Sequence, residues 1–292
     1  MHKVFTHLWF NREAGEAIPF YISLFEDSGI DRHSIIRGTP SGDADVFDFH
    51  LAGVPFQAIN GGPFFRMNAS VSLMVHCDTA QEVDRLHAAL TAGGSELIPL
   101  GEYPFSARYA WVQDRFGLSW QLMLSNQPAG QKIVPSLLFS GAVNGKAEEA
   151  MQFYVGLLPG SSVDFVSRYG KDDGQAPAAQ TNYLAGTLGG ARFSAMDNHG
   201  TDELPFNEGI SLVVLCEDQQ EVDRLWAALS ASPEHEACGW LKDRYGLSWQ
   251  IVPRELDEIA IGADGEYDPG VAEALLQMKK LDIAALRAAK AK

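Results

Sequence analysis

The chain writes one phrase twice. Asp-Arg-Phe-Gly-Leu-Ser-Trp-Gln-Leu at 114–122 returns at 243–251 as Asp-Arg-Tyr-Gly-Leu-Ser-Trp-Gln-Ile, with seven of nine positions identical. The echo extends well beyond it. EAIPFYISLF (16–25) answers to EAMQFYVGLL (149–158), and SLMVHCDTAQEVDRLHAAL (72–90) to SLVVLCEDQQEVDRLWAAL (211–229). The offset moves from 133 to 139 and back to 129 residues, as insertions and deletions in loops produce. Repetition on this scale means a duplicated domain, not a solenoid of short units. At 292 residues the chain has room for two such domains, each with its own core. The polar stretch Ser125-Asn126-Gln127-Pro128-Ala129-Gly130 suits the link between them. The limits read as 1–126 and 131–255, followed by a helical tail over 256–292.

Within a copy, periodicity orders the elements. Val4–Phe10 is apolar and rich in strand formers, and Glu13–Phe25 sets Ala17, Phe20, Tyr21, Leu24 and Phe25 at helical spacing. Strands follow at Ser34–Arg37, Val46–Leu51 and Val54–Ile59, with a tight turn at Gly53. The pattern then restarts: strand Val71–Val75, helix Gln81–Leu90, and strands at Glu96–Leu100, Ala107–Val112 and Leu118–Leu124. Each copy is thus βαβββ written twice, with helices at Ala147–Leu158 and Gln220–Leu229 in the second. In the repeated phrase, Gly117 suits a hairpin turn. Leu118, Trp120, Leu122 and Leu124 then face one way, and Ser119, Gln121 and Met123 the other. The tryptophan face reads as helix-packed core, which leaves the Ser/Gln face for a cavity. The tail from Asp268 carries Val271, Ala274, Leu275, Met278 and Leu281 at helical spacing and is expected to pack across a domain or the domain interface.

Composition removes several function classes. The formal net charge is −16, from 22 Lys+Arg against 38 Asp+Glu, and no basic stripe overrides it. Phosphate backbones and anionic membranes are repelled, so neither nucleic acid nor membrane is an expected partner. No apolar run is long enough to span a bilayer, and the N-terminus lacks the pattern of a secretory signal. Cys77, Cys216 and Cys238 show no metal spacing and read as reduced thiols in a cytoplasmic protein.

The paired βαβββ units, the EEAxxFY helix (148–154), CxxxxEVDRLW (216–226) and GWLKDRYGLSWQIVP (239–253) carry a resemblance. So do NGGPFFRMNASVSL (60–73) and LLQMKKLDIAALRAA (275–289). The chain resembles the PhnB-like branch of the glyoxalase/bleomycin-resistance/dioxygenase, or vicinal oxygen chelate, superfamily. That branch is also labelled the 3-demethylubiquinone-9 3-methyltransferase domain. The resemblance implies an α+β fold of tandem glyoxalase-like domains, each made of two paired βαβββ modules that curl eight strands around a half-open cavity. It also implies a pseudo-dimer within one chain, compatible with further homodimerisation.

In metal-dependent relatives, His, Glu or Gln from the first and last strands hold a divalent ion. Here the first strand offers His7, whose counterpart is Ser136, and the eighth offers Gln121 and Gln250 where relatives commonly place Glu. The fourth strand holds no Asp, Glu or His, and His76 stands only at the far end of the fifth. Three or four converging imidazole and carboxylate ligands make a stable site, so no metal or other cofactor is expected. His7 with Gln121 is the weaker alternative, as in a lyase, isomerase or dioxygenase confined to the first domain. The expected function is metal-free binding of a small organic molecule in a cavity lined by His7, Trp9, Ser119, Gln121, Ser136, Ser248 and Gln250. Methyl transfer from S-adenosylmethionine is disfavoured, because no Gly-rich turn leads from a strand into a helix. GTLGGARF (186–193) and INGGPFF (59–65) read as hairpin turns. Asp197-Asn198-His199-Gly200 has turn composition, and Cys77 and Cys216 read as buried small hydrophobes.

Overall fold

A computed structural model describes residues 3–125, 130–171 and 173–290. Most of the expected linker, Asn126–Ala129, and the final lysine lie outside the described residues. The first module comprises β1 (Val4–Phe10), α1 (Ala14–Leu24), β2 (Gly29–Thr39), β3 (Gly42–Leu51) and β4 (Val54–Asn60). The second comprises β5 (Val71–Cys77), α2 (Ala80–Thr91), β6 (Ser95–Tyr103), β7 (Ser106–Gln113) and β8 (Ser119–Leu124). The third holds β9 (Ile133–Phe139), α3 (Ala147–Leu157), β10 (Ser162–Arg168), β11 (Thr181–Leu188) and β12 (Ala191–Asp197). The fourth is shorter, with β13 (Ile210–Cys216), α4 (Gln219–Leu229), β14 (Trp240–Lys242) and β15 (Ser248–Pro253).

The modules pair two to a sheet, and the partners come from different copies. A seven-stranded first sheet runs β14-β15-β13-β1-β4-β3-β2, and an eight-stranded second sheet runs β10-β11-β12-β9-β5-β8-β7-β6. At the seam of the first sheet β1 lies antiparallel to β13 (His7 opposite Ser211); in the second, β5 lies antiparallel to β9 (Ser72 opposite Ser136). These four lead strands are almost wholly buried. An unpaired edge of that kind must find another strand, and the seam supplies one. The repeat boundary therefore divides the sequence, while each sheet draws on both halves.

The repeated phrase builds the joint between the sheets. Asp114 stands in the turn between β7 and β8 and accepts from the amides of Phe116 (2.8 Å) and Leu118 (3.1 Å) and from Trp120 Nε1 (2.9 Å). Trp120 of the second sheet then meets α1 of the first module, with Tyr21 edge-on at 5.3 Å and Phe25 stacked at 5.9 Å. Asp243 repeats this, with Trp249 edge-on to Tyr154 of α3 at 5.0 Å. Helix starts are likewise duplicated: Thr79 accepts from the Glu82 amide and Asp218 from that of Glu221, at 3.1 and 2.8 Å. Asp197 does more than its turn-like neighbourhood suggests. It is buried, and its carboxylate accepts from the amides of Gly145, Ala147, Gln180 and Thr181, which anchors the start of α3.

The tail is three helices rather than one: α5 (Leu256–Ala260), α6 (Pro269–Gln277) and α7 (Ile283–Lys290). Asp268 caps α6 ahead of Pro269, and the chain turns extended at Met278 before Asp282 restarts it. Its position follows from what the fourth module lacks. The offset between copies drops from 139 to 129 residues before the repeated phrase, and no strand corresponds to β6 there. The tail runs along that edge instead, with Met278 and Lys279 carbonyls accepting from the amides of Cys238 and Gly239, both at 2.7 Å. At the opposite edge Tyr267 N donates to Ile35 O at 2.9 Å, and Arg32 joins Asp48 of β3 to Asp257 of α5. Leu256, Ile259, Val271, Leu275 and Leu286 form a separate core with Ile36 and Val46. The tail thus roofs the concave face of the first sheet. Among the described residues no helix is long and apolar enough to cross a membrane.

Candidate functional site

Alternation along the strands decides what the roofed face presents. Phe5, His7 and Trp9 of β1, Gln57 and Ile59 of β4, Ala44, Val46 and Asp48 of β3, Val213 and Leu215 of β13, and Gln250 and Val252 of β15 point into a cavity of about 790 Å³. Leu256, Asp257, Tyr267, Leu275 and Leu276 of the tail close it, while Phe64, Phe65, Glu208, His235, Cys238 and Trp240 contribute to its walls. This volume is that of a small-molecule site, apolar with a few fixed polar groups.

Polar side chains of this sheet face lie in a row. Asp48 pairs with Gln57, Gln57 with His7, His7 with Ser211, and Ser211 with Ser248 across five neighbouring strands. His7 is 2% exposed, and its Nδ1 has no hydrogen-bond partner. Burial lowers its pKa to about 3, so the ring is neutral at pH 7. It meets Trp240 edge-on at 5.2 Å, and Trp240 meets Trp9 at 5.9 Å. Gln57 Nε2 donates to Asp48 Oδ1 at 2.8 Å, and Arg32 Nε donates to Asp48 Oδ2 at 2.8 Å, so this carboxylate is already engaged. Burial raises the carboxyl pKa of Asp257, against the pull of Arg32. At the rim, Glu208 meets His235 Nδ1 and Lys242 Nζ, each at 3.0 Å.

Trp9 is held by a close backbone approach. Its Nε1 donates to Gly62 O at 2.8 Å, and a Cβ on Gly61 would stand 2.2 Å from Trp9 Cζ2. INGGPFF is accordingly not a hairpin turn but the start of the connection from β4 to β5, whereas Gly189-Gly190 does turn β11 into β12. Gly61→Ala is expected to displace the indole and cost about 1–3 kcal/mol. A shift of tryptophan emission together with a lower unfolding midpoint would report it; an unchanged spectrum and midpoint would refute it.

The concave face of the second sheet is built alike but filled. Its row is Ser194, Ser136, Ser72, Ser119. Gln121 Nε2 donates to Ser72 Oγ at 2.7 Å, Tyr109 Oη donates to Gln121 Oε1 at 2.8 Å, and Trp111 Nε1 to Ser119 Oγ at 2.6 Å. Tyr109 is buried against Phe105 (4.9 Å) and Tyr103 (5.6 Å).

Of the residues expected from sequence, His7, Trp9 and Gln250 therefore share the large cavity. Ser248 is buried at the end of its polar row with Oγ unpartnered. Ser119, Gln121 and Ser136 lie on the second sheet. The alternative metal pair His7 and Gln121 is divided between sheets; the glutamine that accompanies His7 is Gln250, from the other copy. The single-copy cavity that pairing presumed is corrected in the same way. Sequence reasoning passed over Gln57, because the fourth strand was searched only for charged and imidazole ligands. It also passed over Trp240, and over Asp48 and the tail residues, which belong to no repeated motif. Cys77 and Cys216 are buried, with thiols pushed up to about 12 by burial, as structural cysteines are.

A divalent ion of the kind bound by metal-dependent vicinal oxygen chelate proteins finds a poor donor set here. Around His7 stand two neutral amides and a serine, and Asp48 is taken by Arg32 and Gln57. Among the described residues no three His, Cys, Asp or Glu side chains gather as metal ligands do.

The sequence profile of the 3-demethylubiquinone-9 3-methyltransferase family matches residues 2–123 and again 131–252. A putative 3-demethylubiquinone-9 3-methyltransferase, a PhnB protein from Bacillus cereus, is 37% identical over 41% of this chain and 98% of its own, with a TM-score of 0.38. A Staphylococcus aureus protein is 35% identical over 42% of this chain and 95% of its own, with a TM-score of 0.19. Glyoxalase I from Zea mays covers 86% of this chain and 91% of its own at 10% identity and a TM-score of 0.54, a likeness of fold alone. No curated protein matches the chain significantly in sequence.

Proposed function

The chain belongs to the 3-demethylubiquinone-9 3-methyltransferase family, in two copies, and for this member we propose binding of a small, largely apolar organic molecule, without a resident metal, in the first-sheet cavity. The observation that carries the reading is the cavity itself: about 790 Å³, walled by aromatic and aliphatic side chains, with a neutral imidazole and two amides on its floor. Binding into such a preformed apolar space is driven by burial of ligand surface, and the few polar groups fix orientation. Methyl transfer from S-adenosylmethionine has no support in this fold. Neither glycine pair opens a helix, so the strand-to-helix anion turn that such nucleotides use is missing from both places.

The test uses the full chain and 2-methoxynaphthalene, an uncharged aromatic probe. Equilibrium dialysis is expected to give saturable binding of about one molecule per chain. Ala44→Phe, which projects a ring into the cavity from β3, is expected to weaken it more than tenfold. Elemental mass spectrometry after dialysis with manganese, nickel or zinc is expected to find no stoichiometric ion. One ion retained per chain and lost in His7→Ala would replace this reading with lyase or dioxygenase chemistry; absence of saturable probe binding would remove it.

A further inference from the structure

The two sheets carry the same polar device, and one of them contains its own occupant. The repeat aligns Gln121 with Gln250, Ser72 with Ser211, Trp111 with Trp240 and Tyr109 with Cys238. Strand register confirms the frame, since Trp111 pairs with Gln121 as Trp240 pairs with Gln250. In both sheets the glutamine Nε2 donates to the serine, at 2.7 and 3.0 Å. In the second sheet the glutamine Oε1 accepts from the Tyr109 phenol. In the first, the described residues supply no donor to Gln250 Oε1, and both Gln250 and Cys238 line the cavity.

We infer that the first-sheet cavity takes a hydroxylated aromatic molecule whose phenolic O–H donates to Gln250 Oε1, in the place the Tyr109 side chain occupies in the second sheet. The inference rests on the reading of this cavity as a binding site and adds the chemistry of the occupant. The carbonyl is 7% exposed as part of its residue and is oriented by Ser211, so it is a fixed acceptor in a mostly apolar space. A ligand without a donor buries that acceptor unpaired, which costs affinity. His7 stands where the filled sheet has Ser136, and His7 Nδ1 and Ser136 Oγ are both buried without a partner, so the difference between the two sheets lies at the glutamine.

The experiment compares 2-naphthol with 2-methoxynaphthalene, in which a methyl group replaces the donor hydrogen, by equilibrium dialysis against the full chain. Wild type is expected to favour 2-naphthol roughly five- to tenfold. Gln250→Met, close in volume and lacking the acceptor, is expected to bring the two affinities together without losing the methyl ether. The unfolding midpoint checks that this variant folds; the wild-type ratio itself needs no variant. Equal affinities of the two molecules for wild type would overturn the inference while the binding reading stands. A preference that persists in folded Gln250→Met would overturn the assignment of the acceptor. Failure of both molecules to bind would overturn the binding reading and the inference together.

Discussion

Asp243→Ala is expected to destabilise the protein by about 3–5 kcal/mol. The carboxylate accepts four bonds in the interior: from Tyr154 Oη at 2.6 Å, Trp249 Nε1 at 2.9 Å, and the amides of Tyr245 and Leu247 at 2.8 and 3.1 Å. Alanine would strand a hydroxyl, an indole N–H and two amides without water to replace the acceptor. Burial raises the Asp243 carboxyl pKa, and the same four donors oppose that rise, so the group is retained through its partners rather than its charge. Asp243→Asn keeps one carbonyl acceptor and is expected to lose about half as much. Urea unfolding of the three proteins at pH 7 provides the numbers. A loss below about 1 kcal/mol for alanine would show that this network does not hold the sheets together.

That network explains why the repeated phrase was the most informative stretch of the sequence. Asp, Gly and Trp recur because each copy needs a capped hairpin whose tryptophan reaches a helix of the opposite sheet. Helices and strands were legible from their periods for the same reason: burial on one face leaves a pattern of 3.6 or 2. Pairing was not legible. The lead strands VFTHLWF, VSLMVHC, IVPSLLF and ISLVVLC are similarly apolar, so local sequence does not say which seam forms.

The site was half legible. Alternation placed His7, Trp9 and Gln250 on a concave face, and it placed Ser119, Gln121 and Ser136 on one too. What separates an open face from a filled one is Tyr109 against Cys238, a difference just before the repeated phrase where the copies diverge most. The roof was less legible still. Tyr267 and Asp257 have no repeated counterpart, and helical spacing continued across Met278–Asp282 even though the backbone breaks there to pair with the edge left by the missing strand.

His7 makes a prediction about pH. Its folded pKa is lowered to about 3 from an ordinary 6.5 by burial alone. Between those values the unfolded chain binds the proton and the folded one does not, so stability rises with pH across this window and is lost as pH falls through it. At pH 5 the deficit from this one residue is about 2 kcal/mol relative to pH 7. The buried carboxyls of Asp114 and Asp243 slope the other way, because burial raises their pKa and the folded state holds their protons to higher pH. The comparison is therefore made within one background. His7→Leu, which also removes an imidazole nitrogen that has no partner, is expected to match wild type at pH 7 to within about 1 kcal/mol and to exceed it by about 2 kcal/mol at pH 5. Denaturant unfolding of both proteins at the two pH values measures this double difference. Parallel pH profiles would mean that His7 reaches solvent or a charge partner in the folded protein, and that the cavity floor carries an imidazolium rather than a neutral ring in mild acid.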